Sequence, residues 1–261
     1  MRMTTLLTLG LVSLLIMRVT QAADPPLIAA AADLKFALAD IAARFAQRGA
    51  TVSITYGSSG TFNTQIAHGA PFQMFLSADE NFVLQLADAG LTQDRGVLYA
   101  IGRLVLFAPH GSRLTVDAKL SGLKVALAHG QIRRFAIANP EHAPYGRAAR
   151  AALQSQGLWS SLESKLVFGE NAAQAMQFAA SGSSDGGIVP LSLSKVPTIA
   201  KLGSFALLPG AWHSSEPLQQ RMVLLKNAGA TASDFFRYLQ TPAARAVFIR
   251  YGFALPGDRT P

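Results

Sequence analysis

The stretch Thr51–Thr61, TVSITYGSSGT, limits the fold more than any other part of this chain. Val52, Ile54 and Tyr56 alternate with Ser53 and Thr55, the period of a β-strand. Gly57-Ser58-Ser59-Gly60 then stops the strand, and Thr61 onwards reads as a short helix. A helix start carries unpaired N–H donors and the positive end of the helix dipole, so anions settle there. Glycines let a ligand approach the main chain. A strand that turns at once into a helix is also the basic step of a parallel α/β sheet.

The same step recurs along the chain. Leu27 to Ala32 reads as a buried strand, Asp33 stands where a helix N-cap belongs, and Leu34, Leu38, Ile41 and Phe45 mark one helix face. Met74 to Ser77 is a further strand, with Asp79 capping a helix behind it. Leu104 to Ala108 is read as the crossing into a second lobe, whose sheet begins with Lys124 to Ala128. There the loop NPEHAPYG leads into a helix from Arg147, and Glu170-Asn171 leads into a helix from Ala172. Gly186 to Val189 is a strand stopped by Pro190, and Gln219 to Leu225 is the return strand, followed by two helices. Four junctions, at Asp33, Ser58-Ser59, Tyr145-Gly146 and Asn171, are therefore expected to meet from two lobes. Open α/β sheets bind ligands beyond the carboxyl ends of their strands. The expected fold class is α/β, with mixed sheets flanked by helices and a cleft between lobes. The expected divisions are 23–104 for the first lobe, 105–220 for the second, and 221–261 for the return to the first.

Residues 1–22 stand apart. Met1-Arg2 precedes an apolar run from Leu6 to Met17, then Thr20-Gln21-Ala22, which reads as a secretory signal peptide cut after Ala22. The chain has no cysteine, which excludes disulfides, thiolate metal sites, a cysteine nucleophile and a lipid anchor on an N-terminal cysteine. A periplasmic location follows as the expectation. The formal charge of +8 falls to +6 without Arg2 and Arg18, and it is scattered. It fits a mild attraction for anions and not a nucleic-acid surface. The five histidines share no metal-ligand spacing. Gly182-Ser183-Ser184-Asp185-Gly186 matches G-x-S-x-G, but a helix precedes it and a strand follows, the reverse of a nucleophile elbow.

AAADLKFALADIAARF, YGSSGTFNTQIAHGAPFQMFLSAD, NPEHAPYGRAARAAL and TPAARAVFIRYGF, in that order, resemble the periplasmic molybdate-binding proteins of ABC transporters. The resemblance covers nearly the whole chain after residue 22. It implies a two-lobed, type II periplasmic binding fold that captures molybdate or tungstate for a membrane permease, as a monomer. It implies no enzyme activity, no organic cofactor and no protein-ligated cation, with molybdenum present only as its oxyanion. With the junctions read above, the expected ligand-binding residues are Asp33, Lys35, Ser58, Ser59, Tyr145, Asn171 and Ala172. Ser59 falls on the family's second-turn serine, and Tyr145 and Ala172 on its main-chain donors. Asp33 stands where the family usually has serine, and Pro190 where it often has tyrosine, so two hydroxyl donors are missing. Two readings of Asp33 follow. Its side chain caps the helix, leaving N–H groups near Leu34 and Lys35 for the anion, or it accepts a proton from a hydrogen-bearing oxyanion. The Tyr145 phenol either replaces the missing donor or packs between the lobes. Sulfate or a phosphorus oxyanion on the same fold is the alternative ligand. A porphyrin-pathway deaminase shares the fold but tethers its cofactor through cysteine, and a transcription regulator would need a helix-turn-helix.

Overall fold

The computed structural model describes residues 24–257; the expected signal peptide lies outside them. Ten strands appear in chain order. They are β1 Leu27–Ala31, β2 Ser53–Gly57, β3 Met74–Ser77, β4 Val97–Ile101 and β5 Leu104–Pro109. Then come β6 Phe135–Ala138, β7 Leu166–Gly169, β8 Gly186–Pro190, β9 Gly203–Leu207 and β10 Gln219–Leu224. They form two five-stranded sheets, ordered β2-β1-β3-β10-β4 and β7-β6-β8-β5-β9. In the first, β1 runs parallel to β2 and β3, and β10 lies antiparallel between β3 and β4. In the second, β6 runs parallel to β7 and β8, and β5 lies antiparallel between β8 and β9. The two sheets thus repeat one topology that the sequence does not display as a repeat. The chain passes from β4 to β5 through Gly102-Arg103 and returns between β9 and β10.

Burial explains which strands were legible. Strand β1 is LIAAA with four of five residues fully buried, as a strand covered on both faces should be. Strand β2 alternates because it is an edge. Three strands were not anticipated: β4, β6 and β9. Strand β6 is only Phe-Ala-Ile-Ala, short and half alanine, and alanine is depleted in strands.

Lys124–Ala128 is not a strand. It is part of a helix, Ser121–Ala128, whose inward residues are Leu123 and Ala126. A short apolar run cannot be told from a buried helix by period alone. Here the Asp117 carboxylate decides, by accepting the N–H groups of Lys119, Ser121 and Gly122 at 2.7–3.1 Å and fixing the helix entry.

Each parallel strand feeds a helix at the cleft. Strand β1 leads through a 3-10 turn, Ala32–Leu34, into the helix Lys35–Ala46, and β2 leads into Ser59–Ala67. Strands β6 and β7 lead into Pro144–Ser155 and Ala172–Ala180. Tyr145 and Gly146 lie inside the first turn of their helix, with Pro144 as its first residue, not in the preceding loop. Glycine is required at 146, because a Cβ there would stand 2.2 Å from the Ala138 carbonyl oxygen. The helix start can sit against the end of β6 only without a side chain. Phe235, Phe248 and Phe253 from the C-terminal segment are completely or almost completely buried and close the first lobe, with Phe235 edge-on to Phe45.

Candidate anion-binding site

Three of these helix starts meet at one small cavity between the sheets. Ser58 and Ser59 line it from the first lobe, and Tyr145 and Ala172 from the second. No bond joins the N–H groups of Ser59, Tyr145 or Ala172 to any described protein group. The Ser59 hydroxyl oxygen accepts the Ala78 N–H at 3.0 Å, which leaves its hydrogen free to donate. Ser59 itself is 1% exposed. An enclosed set of N–H donors at converging positive helix ends is a site for a small anion.

The other expected residues divide. Ser58 lines the cavity, but its hydroxyl donates to the His142 carbonyl across the cleft. Asn171 does not line it: its side chain accepts the N–H groups of Ala173 and Gln174 at 3.0 and 3.1 Å, capping the helix whose first N–H, at Ala172, stays free. Lys35 is exposed and lines a wider groove outside the cavity, with Asn171. Pro190 is buried at the end of β8 and is not part of the cavity wall.

Asp33 lines the cavity but does not cap its helix. No side-chain cap bond exists at the 3-10 turn or at the helix after it. The carboxyl is 1% exposed and turns to Gln220, whose Nε2 donates to Oδ2 at 2.6 Å. The Tyr99 hydroxyl donates to Gln220 Oε1 at 2.7 Å, and Gln220 Nε2 also lies 3.4 Å from the Tyr145 oxygen. The amide therefore ties one carboxyl and two phenols into a single buried group. Oδ1 of Asp33 has no hydrogen-bond partner. Burial pushes this carboxyl up to about 6, against the pull of Gln220 and the Tyr145 phenol, and no cation offsets it. Burial likewise holds the Tyr99 and Tyr145 phenols well above their usual range. An ionised Asp33 would repel an anion beside it. Two unit charges 4 Å apart interact by about 4 kcal/mol at an effective dielectric constant near 20.

Contacts across the cleft hold the lobes together around the cavity. The Gly60 N–H donates to the His142 carbonyl at 3.0 Å, beside the Ser58 hydroxyl. Ser192 Oγ donates to the Asp33 carbonyl at 2.8 Å. Arg147 of the second lobe pairs with Asp79 of the first, and with Glu216 of the returning segment at 2.9 Å. The sequence reading missed Gln220, His142, Arg147, Asp79 and Glu216 as members of this region. Signals existed for Gln220, which alternates with the buried Leu218 and Met222, and for His142, Asp79 and Arg147, which lie in the stretches that carry the resemblance.

The family model described as bacterial extracellular solute-binding protein matches residues 26–254. The chain is similar to the molybdate-binding protein ModA of Rhodobacter capsulatus, 37% identical over 89% of each chain. The ModA of Azotobacter vinelandii is 36% identical, over 87% of this chain and 89% of that one. The solved periplasmic molybdate-binding protein of Azotobacter vinelandii superposes with a TM-score of 0.80 at 32% identity, over 88% of this chain and 99% of that one.

Proposed function

The chain belongs to the bacterial extracellular solute-binding protein family, and on that premise we propose that it captures molybdate or tungstate and delivers it to the permease of an ABC importer. The observation that carries this reading is the cavity edged by three helix starts whose N–H groups have no protein partner. The relatives named for molybdate binding support the choice of anion. The protein is read as a carrier and not an enzyme, because those relatives bear the names of binding proteins. Residues 1–22 would direct export and be cut after Ala22, releasing the chain into the periplasm as a monomer. N-terminal sequencing of the native protein checks this, and an intact Met1 would count against it.

In this mechanism the open cleft admits the anion and the lobes close on it by rigid-body rotation. The hinge would lie at the two crossings, Gly102-Arg103 and residues 208–218. Ser59 donates its hydroxyl and N–H from the first lobe, and the N–H groups of Tyr145 and Ala172 donate from the second. Donors from both lobes make closure and binding one event. Ser59→Ala removes one hydroxyl donor to a charged ligand, worth about 1.5–3 kcal/mol. Calorimetric titration should show molybdate affinity falling about tenfold or more in that variant. Titrating the wild-type chain with molybdate, tungstate, sulfate and phosphate tests the reading as a whole. Failure to bind either molybdate or tungstate would overturn it.

A further inference from the structure

We infer that this site binds its oxyanion together with one proton, held between Asp33 Oδ1 and an oxygen of the anion. The inference rests on the oxyanion reading of the cavity and adds what that reading leaves open, the role of a carboxyl in an anion site. Three observations carry it. Asp33 lines the cavity and is 1% exposed. Its Oδ2 is occupied by Gln220, while Oδ1 has no partner. A buried polar atom without a partner is rare, and this one belongs to a residue that lines the anion cavity beside the Tyr145 phenol, which pulls on the same carboxyl. A carboxylate and an oxyanion both only accept hydrogen bonds. They can meet only through a proton.

The surroundings offer this carboxyl no cation, and burial outweighs the pull of the Gln220 amide and the Tyr145 phenol. The helices Ala172–Ala180 and Leu191–Ser194 pack on this turn and carry no titratable side chain. Strand β2 brings Tyr56, pushed up to about 12 by burial, and Tyr99 and Tyr145 are phenols held well above their usual range. All three are neutral at physiological pH. Lys35, on the helix that follows Asp33, is exposed and lines the outer groove. His142 is turned to Ser58 and to Glu170, at 3.1 and 3.6 Å.

The proton has two possible sources. A fully deprotonated anion such as molybdate leaves it to be drawn from solvent onto Asp33, which then donates like a hydroxyl. A hydrogen-bearing oxyanion brings its own. Before any anion is counted, burial pushes the carboxyl up to about 6. An anion beside it raises that value further, since a like charge disfavours the ionised form. Molybdate affinity should therefore be highest at and below pH 6. It should fall by up to tenfold per pH unit above that, until the pKa of the bound state is reached.

The test is molybdate titration calorimetry from pH 6 to 8.5, run in pairs of buffers with different protonation heats. The wild-type chain should take up close to one proton per anion at pH 7.5. In Asp33→Asn, Gln220 holds the amide oxygen and the amide N–H₂ faces the cavity. That variant should take up none, show a flat profile, and bind molybdate ten- to a hundredfold tighter than wild type at pH 8. Asp33→Ser should also be flat. Inorganic phosphate as the second ligand separates the sources. Its hydrogen-bearing form should bind the wild-type chain with no proton drawn from solvent, and should lose affinity in Asp33→Asn. Molybdate binding without proton uptake and without pH dependence would overturn the inference and leave the carrier function standing. Absence of binding by molybdate, tungstate and phosphate at every pH would overturn both.

Discussion

Replacing Gly60 with alanine is expected to weaken molybdate binding about a hundredfold while leaving the unliganded chain at least as stable as the wild type. Gly60 lies in the first turn of the helix Ser59–Ala67, where it touches the other lobe. Its N–H donates to the His142 carbonyl at 3.0 Å. A Cβ at this position would stand 2.6 Å from that oxygen and 3.1 Å from the His142 Cα. Both are main-chain atoms and cannot swing aside as a side-chain tip would. Relief comes only from moving the lobes apart. That movement loosens the Gly60 and Ser58 bonds to His142 and separates the donors of Ser59 from those of Tyr145 and Ala172. Two hydrogen bonds at about 1–1.5 kcal/mol each, before any misplacement of the anion donors, amount to roughly a hundredfold in affinity. Alanine is the better helix former by up to about 1 kcal/mol, so the isolated lobe gains or holds its stability. Calorimetry with molybdate and a thermal melt of the unliganded variant separate the two effects. Wild-type affinity in a normally folded Gly60→Ala chain would show that closure does not need this contact.

What the sequence revealed of this site followed from how local each feature is. Ser59, Tyr145 and Ala172 stand at helix starts, and a strand that breaks into a helix can be read from a dozen neighbouring residues. The N–H groups proposed to face the anion belong to the main chain, so they survive the exchange of side chains at Tyr145 and Ala172. Asp33 was legible as a residue at such a junction, but its partner was not. Gln220 lies 187 positions away and reaches it only because β10 returns to the first sheet. Without that partner, a helix cap was the natural reading of an aspartate after a strand, and the buried amide is what overrides it. Lys35 was expected at the anion because it neighbours Asp33, yet the 3-10 turn carries it round to the outer groove. The helix Ser121–Ala128 was misread because an apolar run of one or two turns has no decisive period, and the capping carboxylate lies four residues upstream.

Removing the guanidinium of Arg147 is expected to have an effect of similar size by a different route. Arg147 lies in the second lobe with its side chain 19% exposed, and Asp79 faces it from the first lobe with its side chain 10% exposed. Asp79 also caps the helix Glu80–Asp88 by accepting the Asn81 N–H at 2.9 Å. Burial raises its pKa in spite of that bond and of Arg147. Glu216 lies on the other side of the guanidinium and is more exposed, so that arm contributes less. The Arg147 guanidinium also lies over the Phe82 ring, 5.2 Å from its centre. These contacts join the lobes, so they count toward the closed form and not toward either lobe alone. Arg147→Ala leaves the Asp79 charge with no counter-ion each time the cleft closes. Breaking a buried pair from one side costs about 3–5 kcal/mol, and the lower end applies where water can re-enter on opening. Molybdate affinity should fall about a hundredfold, mainly through faster release, because the contact forms after encounter. Adding Asp79→Asn to Arg147→Ala should restore part of the loss, since asparagine keeps the cap and carries no stranded charge. The same substitution in a wild-type background should weaken binding, because it leaves Arg147 with Glu216 alone. Stopped-flow release rates for the two single variants and the double variant measure this coupling directly. Equal release rates in wild type and Arg147→Ala would mean that the ion pair ornaments the closed cleft without holding it.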